Sequence, residues 1–179
     1  MSGILALLAL FIAYFFRNPE REAPSDASLI LSPADGHVSV VRPLGGDGNP
    51  AGNVVSIFLS VFDVHVNRTP IAGRITNVQY KKGKFLNALN QRSSLENEQN
   101  IITVQNEHLT VTFSQIAGVI ARRIVFWKKI GDTLAPGERI GLIKFGSRTD
   151  IILPPEVEIV VKKGDRVFGG TTIIGKIKK

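Results

Sequence analysis

The segment Gly131-Asp132-Thr133-Leu134 is the strongest indication of the fold, because the chain repeats its pattern 33 residues later as Gly164-Asp165-Arg166-Val167. Each copy leads to a further glycine, Gly137 in the first and Gly170 in the second. A Gly-Asp pair is a turn signal, and the later glycine permits a positive φ or a close approach of two backbones. The repeat therefore predicts two equivalent turn-and-strand units in the C-terminal third.

The sequence upstream of the repeat also has the pattern typical of a β protein. From Leu29 onward, short β-type runs are cut by Gly, Pro, Asn and Asp. Pro43 to Gly52 is predicted as a loop, and Leu86 to Gln99 as a mobile loop with room for one helical turn. The predicted strands are Gly36–Val41, Val54–Phe62, Gly73–Tyr80, Ile101–Gln105, Leu109–Ser114, Val119–Phe126, Ile140–Lys144, Asp150–Leu153 and Ile173–Lys178.

Two turn units of this kind resemble the β-hammerheads of the barrel-sandwich hybrid, the fold of biotinyl and lipoyl domains. We therefore expect a mostly β protein with minor α, an internal repeat and an N-terminal hydrophobic helix. This likeness concerns the fold alone, since function depends on the site that a fold carries.

Composition narrows the class of protein. Apolar residues make up 44% of the chain and charged residues 21%, which excludes collagen, coiled coil and wholesale disorder. Without cysteine there is no disulfide, thiolate metal site or cysteine nucleophile. The net charge of +7 suits an anionic partner, which leaves nucleic acid, a phospholipid headgroup or an acidic substrate open. The candidate basic contacts are Arg17, Arg21, Lys81-Lys82, Arg122-Arg123 and Lys128-Lys129.

The N-terminus favours a membrane over the other anionic partners. Residues 1–16 carry no charge and are almost wholly apolar from Ile4. As a helix they would span about 24 Å, against roughly 30 Å of bilayer hydrocarbon. Because Arg17 and Arg21 follow at once, positive-inside logic places the domain in the cytoplasm. We predict an anchor at 1–16, a linker at 17–28 and a catalytic domain at 29–179. A helix docked on the domain and a cleaved signal are the alternatives.

Several motifs, in a fixed order, carry a more specific resemblance. The chain contains Ser32-Pro33-Ala34-Asp35-Gly36, Phe62-Asp63-Val64-His65-Val66-Asn67-Arg68, Gly83-Lys84-Phe85-Leu86-Asn87-Ala88, Glu96-Asn97-Glu98-Gln99-Asn100, the run from Ile116 to Ile124, and Phe145-Gly146-Ser147-Arg148. From Leu31 to Ile177 this pattern resembles the phosphatidylserine decarboxylase family, in its short, prokaryotic-type branch.

The resemblance implies a proenzyme that cuts itself between Gly146 and Ser147. Cleavage would give a β chain of residues 1–146 and an α chain of 147–179, with Ser147 converted to an N-terminal pyruvoyl group. That group is the cofactor, and it would hold the substrate amine as a Schiff base. Decarboxylation of an amino acid needs such an electron sink, which no natural side chain supplies.

The resemblance also implies the other catalytic residues and the partners. His65 is the candidate base for Ser147, and Asp35 would orient it, as in a Ser-His-Asp arrangement. If Asp63 and His65 lie on one strand they share a face, so Asp63 is a second candidate acid. The implied partners are an anionic phospholipid, diacyl or diether, the membrane and the paired α and β chains, with a homo-oligomer open. No metal or nucleic acid is expected.

Two positions depart from the better-known long-form enzymes. Arg148 stands where they carry threonine, and Phe62 where they carry an additional histidine. Roles at these positions do not transfer, although Arg148 could place a fixed positive charge beside the reactive carbonyl. His37 and His108 have no motif support and are assigned to surface or packing.

Three rival functions remain open from the sequence. A non-catalytic lipoyl- or biotinyl-like carrier, or a membrane adaptor, would present a modified lysine such as Lys144 on an intact backbone. A nucleic-acid binder is suggested only by charge and lacks any motif for it. A pyruvoyl enzyme for a free amino acid would not need the apolar N-terminus.

Overall fold

A computed structural model of the chain describes residues 2–44, 51–90, 92–119, 123–144 and 147–178. Gly146, one half of the predicted cleavage site, lies outside the described residues, as does Arg122. The two helices are α1 (Ser2–Phe15) and α2 (Ser93–Glu96). The strands are β1 (Leu29–Leu31), β2 (Gly36–Leu44), β3 (Gly52–Leu59), β4 (Val66–Arg68), β5 (Gly73–Lys81), β6 (Gln99–Gln105), β7 (Thr110–Ile116), β8 (Arg123–Phe126), β9 (Thr133–Leu134), β10 (Arg139–Lys144), β11 (Ser147–Leu153), β12 (Val157–Ile159), β13 (Arg166–Val167) and β14 (Ile173–Ile177).

The prediction of a mostly β protein is confirmed. The strands form an eight-stranded sheet in the order β13-β2-β3-β11-β7-β6-β5-β9 and two three-stranded sheets, β1-β14-β12 and β4-β10-β8. Inward-facing Val, Ile and Leu side chains such as Val55, Ile57 and Ile151 form one hydrophobic core. β11 lies inside the large sheet, paired antiparallel with β3 on one side and β7 on the other.

The repeated Gly-Asp turns have the same backbone geometry. Gly131 and Gly164 both adopt φ of 97°, a region that favours glycine. The amide of Gly131 donates to the carbonyl of Ile75 at 2.8 Å, and the amide of Gly164 donates to the carbonyl of Val38 at 2.8 Å. The strands that follow, β9 and β13, close opposite edges of the large sheet. The sequence repeat therefore marks the two ends of one sheet.

A second repetition, which the sequence reading missed, lies before β2 and β5. In Ser32-Pro33-Ala34-Asp35-Gly36 the Ser32 Oγ donates to the carbonyl of Ala34 at 2.7 Å. In Thr69-Pro70-Ile71-Ala72-Gly73 the Thr69 Oγ1 donates to the carbonyl of Ile71 at 2.7 Å. The glycine of each stretch opens a nine-residue strand. The two turns are closed alike, but one carries an aspartate where the other carries Ala72.

The N-terminal segment is a helix followed by a fixed, irregular stretch. Helix α1 begins at Ser2 and ends at Phe15, and Phe15 is its only described residue that is buried. None of the described helices is both long and apolar enough to cross a bilayer. Residues 17–28 form no regular element, yet Arg68 donates to the Pro19 carbonyl at 2.9 Å. The predicted linker is thus attached to the domain.

Several predicted strand limits were wrong. Val54–Phe62 ends at Leu59, because the Asp63 side chain accepts hydrogen bonds from Ser60 and closes a turn there. Asp63 and His65 therefore do not share a strand face, and the alternation argument for Asp63 fails. Asp150–Leu153 begins earlier, at Ser147. The single helical turn expected within 86–99 is α2.

Candidate active site

Ser147 has the least ordinary environment of the predicted catalytic residues. It is the first residue of β11, lies opposite Leu59 of β3 and is fully buried. Its Oγ hydrogen-bonds to no atom of the described residues. An unsatisfied buried hydroxyl costs about 1–3 kcal/mol, so such a group calls for an explanation. A hydroxyl kept free for reaction supplies one.

The segment from Leu59 to His65 contacts the two strands that flank the predicted cleavage site, β11 after it and β10 before it. Its start, Leu59, pairs with Ser147 in the large sheet. Its end runs beside β10, where the Ile143 amide donates to the His65 carbonyl at 3.2 Å. Because β10 ends three residues before β11 begins, the fold brings the histidine segment and the predicted nucleophile into one neighbourhood.

The environment of His65 suits a general base. The ring is 2% exposed, and its Nδ1 lies 2.9 Å from the Asp63 carbonyl. A carbonyl only accepts, so Nδ1 carries the proton and Nε2 of the neutral ring has the lone pair. Burial lowers the pKa of His65, with the hydrogen bond to the Asp63 carbonyl opposing that shift. The imidazole is therefore neutral near pH 7, as proton abstraction from a hydroxyl requires.

Asp35 is buried, but its hydrogen bonds within the described residues run elsewhere. Its carboxylate accepts two bonds from Arg21, at 2.6 and 2.8 Å, and one from the Gly169 amide at 2.8 Å. No bond joins it to His65 in the described part of the chain, although its charge acts to raise the pKa of that histidine. The orienting role implied by the family resemblance is therefore still a prediction, and Arg21 is a neighbour that the sequence reading did not foresee.

Asp63 serves the turn before His65. One carboxylate oxygen accepts from the amide and hydroxyl of Ser60, at 2.7 and 2.9 Å, and the other accepts from Arg166. Asp63 thus fixes the backbone that presents its own carbonyl to His65. Its side chain is occupied by this structural task.

The end of helix α1 covers the histidine. The Phe15 ring, fully buried, lies 4.2 Å from the His65 ring between centroids. Two residues on, Arg17 donates to the Phe62 carbonyl at 2.7 Å. The Phe62 side chain is 64% exposed, so this position contributes its backbone to the site. No motif in the sequence links residues 15–17 to residues 62–65.

Arg148 lies on the face of β11 opposite Ser147, since side chains alternate along a strand. Its guanidinium donates to Asp150 and to Ser56, both at 2.6 Å, and Ser94 of α2 donates to Asp150 at 2.7 Å. Its charge is paired with a carboxylate on that face. The reactive carbonyl belongs to Gly146, outside the described residues, so a fixed positive charge beside that carbonyl is still a prediction.

The remaining predicted residues lie apart from this neighbourhood or add little to it. His37 and His108 are exposed, and His37 faces Arg166 at 3.4 Å. Lys144 is half-buried, with its Nζ 5.8 Å from the Phe16 ring centroid, whereas a carrier lysine would be presented to solvent. Within the described ranges, no group of three His, Asp or Glu side chains could hold a metal ion.

Fold and site together define a class: a mostly β protein whose buried serine hydroxyl has no hydrogen-bond partner among the described residues and lies in the neighbourhood of a neutral histidine. This arrangement is suited to acyl transfer on its own backbone. A sequence model described as phosphatidylserine decarboxylase matches residues 8–175. The chain belongs to the phosphatidylserine decarboxylase family.

Individual relatives agree over nearly the full length. The chain is 58% identical over 172 residues to a phosphatidylserine decarboxylase proenzyme of Solibacter usitatus, an alignment that covers 96% of this chain and 81% of that one. It is 51% identical to the proenzyme of the same name from Carboxydothermus hydrogenoformans, over 98% of this chain and 84% of the relative. The proenzyme of Pelobacter propionicus is 46% identical, over 98% and 81%.

Proposed function

We propose that the protein is a self-processing, pyruvoyl-dependent decarboxylase that converts phosphatidylserine to phosphatidylethanolamine and CO2. One observation carries this proposal: within the described residues, the Ser147 hydroxyl at the start of β11 is buried without a hydrogen-bond partner, and it lies in the neighbourhood of a histidine that burial keeps neutral. Membership of the family and the proenzyme names of the relatives support it.

Self-cleavage needs only groups that the chain supplies, plus water. Nε2 of His65 takes the proton of the Ser147 hydroxyl, and Oγ attacks the Gly146 carbonyl. The peptide bond becomes an ester, and the nitrogen of residue 147 becomes a free amine. Loss of the α proton then breaks the Cβ–Oγ bond, which releases the Gly146 carboxylate and leaves dehydroalanine. Addition of one water and loss of one ammonia convert residue 147 to a pyruvoyl group.

The residues around Ser147 fit this product. The pyruvoyl group supplies an electrophilic carbonyl that accepts electrons when CO2 leaves. Leu59 of β3 lies opposite residue 147 and excludes water from one side, since its side chain is fully buried. His65 can accept or donate a proton at the same site through its Nε2. The barrel-sandwich-hybrid description of the domain belongs to this proposal as well, supported by the matched turns at Gly131 and Gly164.

The protein acts at the cytoplasmic face of the cell membrane, and α1 is the contact. The helix exposes a set of apolar side chains to solvent: Ile4, Leu5, Leu7, Leu8, Leu10 and Ile12. Its 14 residues extend about 21 Å, which suits insertion into one leaflet better than a complete span. The lipid tail then stays in the bilayer while the headgroup reaches the site at the end of the helix.

The test is an intact mass of the purified chain under denaturing conditions, beside a Ser147→Ala control. We expect two chains, residues 1–146 and 147–179, the smaller about 17 Da lighter than its encoded mass because ammonia is lost. The cut protein should release CO2 from phosphatidylserine in mixed micelles, and the control should not. A single chain that matches the control would overturn the proposal.

A further inference from the structure

Arg21 forms a bidentate ion pair with Asp35, a predicted catalytic carboxylate. Its Nη1 donates to Oδ1 of Asp35 at 2.6 Å, and its Nη2 donates to Oδ2 at 2.8 Å. Nη1 also donates to the Gly169 carbonyl at 2.7 Å. The planar guanidinium matches the plane of a carboxylate, so this geometry fixes the orientation of Asp35 as well as its position. The Asp35 side chain is 3% exposed and that of Arg21 12%.

The stretch that leads to Arg21 is held against the domain at several points. Arg17 donates to the Phe62 carbonyl at 2.7 Å, and the Pro19 carbonyl accepts from Arg68 at 2.9 Å. Glu20 pairs with Arg139 at 2.6 Å. We call residues 15–21 the strap. The strap starts at the ring that lies on His65 and ends at the guanidinium that holds Asp35.

The second turn in the fold shows that the pair is not needed to close the turn. Thr69 to Gly73 adopts the same hydrogen-bonded turn with Ala72 in the place of Asp35. A buried ion pair is weak evidence for stability, since desolvation offsets much of the attraction. An aspartate and an arginine kept at only one of two matching turns point to a task other than folding.

We propose that Arg21 is a positioning residue for self-cleavage: it orients the Asp35 carboxylate and balances its charge near His65, so the precursor cuts itself efficiently only with the strap docked. This inference rests on the proposed function and adds a residue to it. Without Arg21, less cationic charge offsets the effect of Asp35 on His65, although the Gly169 amide still donates to the carboxylate and Arg68 still attracts it. The other charged groups that act on the ring are Asp63, which also raises its pKa, and Arg17, which lowers it.

The experiment follows self-cleavage of the newly synthesised full-length chain. The chain is made by cell-free translation in the presence of detergent and is labelled through its leucine residues. The variants are Arg21→Met, Arg21→Lys and, as a matched control, Arg74→Met, which removes an exposed arginine of β5 in the other half of the large sheet. We expect Arg21→Met to cleave about 10- to 100-fold more slowly, the usual loss when an outer partner of a reactive group is removed. Arg74→Met should cleave like the parent chain.

Three readouts separate positioning from a merely structural role. Arg21→Lys should recover part of the rate, and guanidinium at millimolar concentration should speed Arg21→Met but not the control. The acid limb of the pH–rate profile should move to higher pH in Arg21→Met, because a carboxylate with less cationic charge beside it favours the protonated imidazole. Parental rates in Arg21→Met overturn the proposal. So does a slower rate with a lowered melting temperature, no rescue and an unmoved profile. A parent chain that stays uncut, like Ser147→Ala, overturns the proposed function instead.

Discussion

His65 shows how burial sets chemistry at the scale of one residue. The ring is enclosed by Phe15 and bound through Nδ1 to the Asp63 carbonyl, so its charged form loses most of its hydration. The lowered pKa is the direct result. Ser147 is fully buried as well, and its hydroxyl has no hydrogen-bond partner within the described ranges. A base that is neutral at working pH can take the proton of such a hydroxyl.

The pH dependence of self-cleavage follows from that shift. We expect the rate to hold down to pH values below 6.5, the ordinary pKa of histidine, and to fall only as the buried ring becomes protonated. The folded-state pKa is the lower one, so the unfolded chain takes up the proton first and stability declines as pH falls below 6.5. A pH–rate profile of the purified precursor measures this; an acid midpoint above 6.5 contradicts it.

These residues also show how much of the candidate site could be predicted from the sequence. Ser147 and His65 stand in ordered motifs, so the family resemblance named them as catalytic candidates. Arg21 could not be found this way, because it reaches Asp35 across an irregular segment that carries no periodicity. Phe15 read as one more apolar residue of a helix. Its contact with His65 depends on where the helix ends, and tertiary packing decides that.

At the scale of elements, α1 and β11 differ in how they are held. Phe15 is the only buried residue among those described in α1, so the helix depends on one side chain for its docking. β11 is paired along both edges, and its polar start, Ser147 to Asp150, is buried. Sequence rules assign buried strands to apolar runs, which is why the predicted strand began at Asp150.

Replacement of Phe15 with alanine should release α1 without unfolding the domain. Few other contacts hold the helix in the described part of the chain, so we expect trypsin to cut faster at Arg17. Cutting at Arg21 should stay slow because Arg21 remains paired with Asp35, and the melting temperature should change little. Limited proteolysis and thermal denaturation measure the two effects. A fall in stability of about 3–5 kcal/mol, the cost of the same substitution in a core, would show that α1 is part of the fold's main cooperative unit.

The ion pair behind β11 makes a separate prediction. Arg148→Met leaves Asp150 buried and unpaired, so we expect a loss of about 3–5 kcal/mol in the free energy of unfolding. Replacing both residues, with Arg148→Met and Asp150→Leu, should restore most of that loss. Urea denaturation of Ser147→Ala backgrounds gives the free energies. With Ser147 intact, a double variant that cleaves at less than a tenth of the parental rate would show that Arg148 has a role in cleavage beyond stability.

Across the protein as a whole, the proposed cut between Gly146 and Ser147 immediately precedes β11, which is an interior strand of the large sheet. Residues 147–179 supply β11 to the large sheet, β13 to its edge, and β12 and β14 to the sheet that begins with β1. Residues 147–179 therefore pair with strands of residues 1–146 in two sheets. Loss of one peptide bond removes none of these pairings.

We accordingly expect the two chains to remain associated after cleavage. Native mass spectrometry should give a single particle with the summed mass, and denaturing conditions should separate the chains. The melting temperature of the cut protein should lie close to that of Ser147→Ala. Elution of free 147–179 peptide from a sizing column in native buffer would contradict this.

Ser147 is the first residue of a central strand, so the supply of a cofactor made from it depends on folding. If Ser147 becomes the cofactor, as we propose, that cofactor is produced once per folded chain, and no transport, vitamin or loading enzyme sets its amount. The number of active centres in a cell then equals the number of chains that have folded and cut. It cannot be raised by feeding or lowered by starvation for a small molecule.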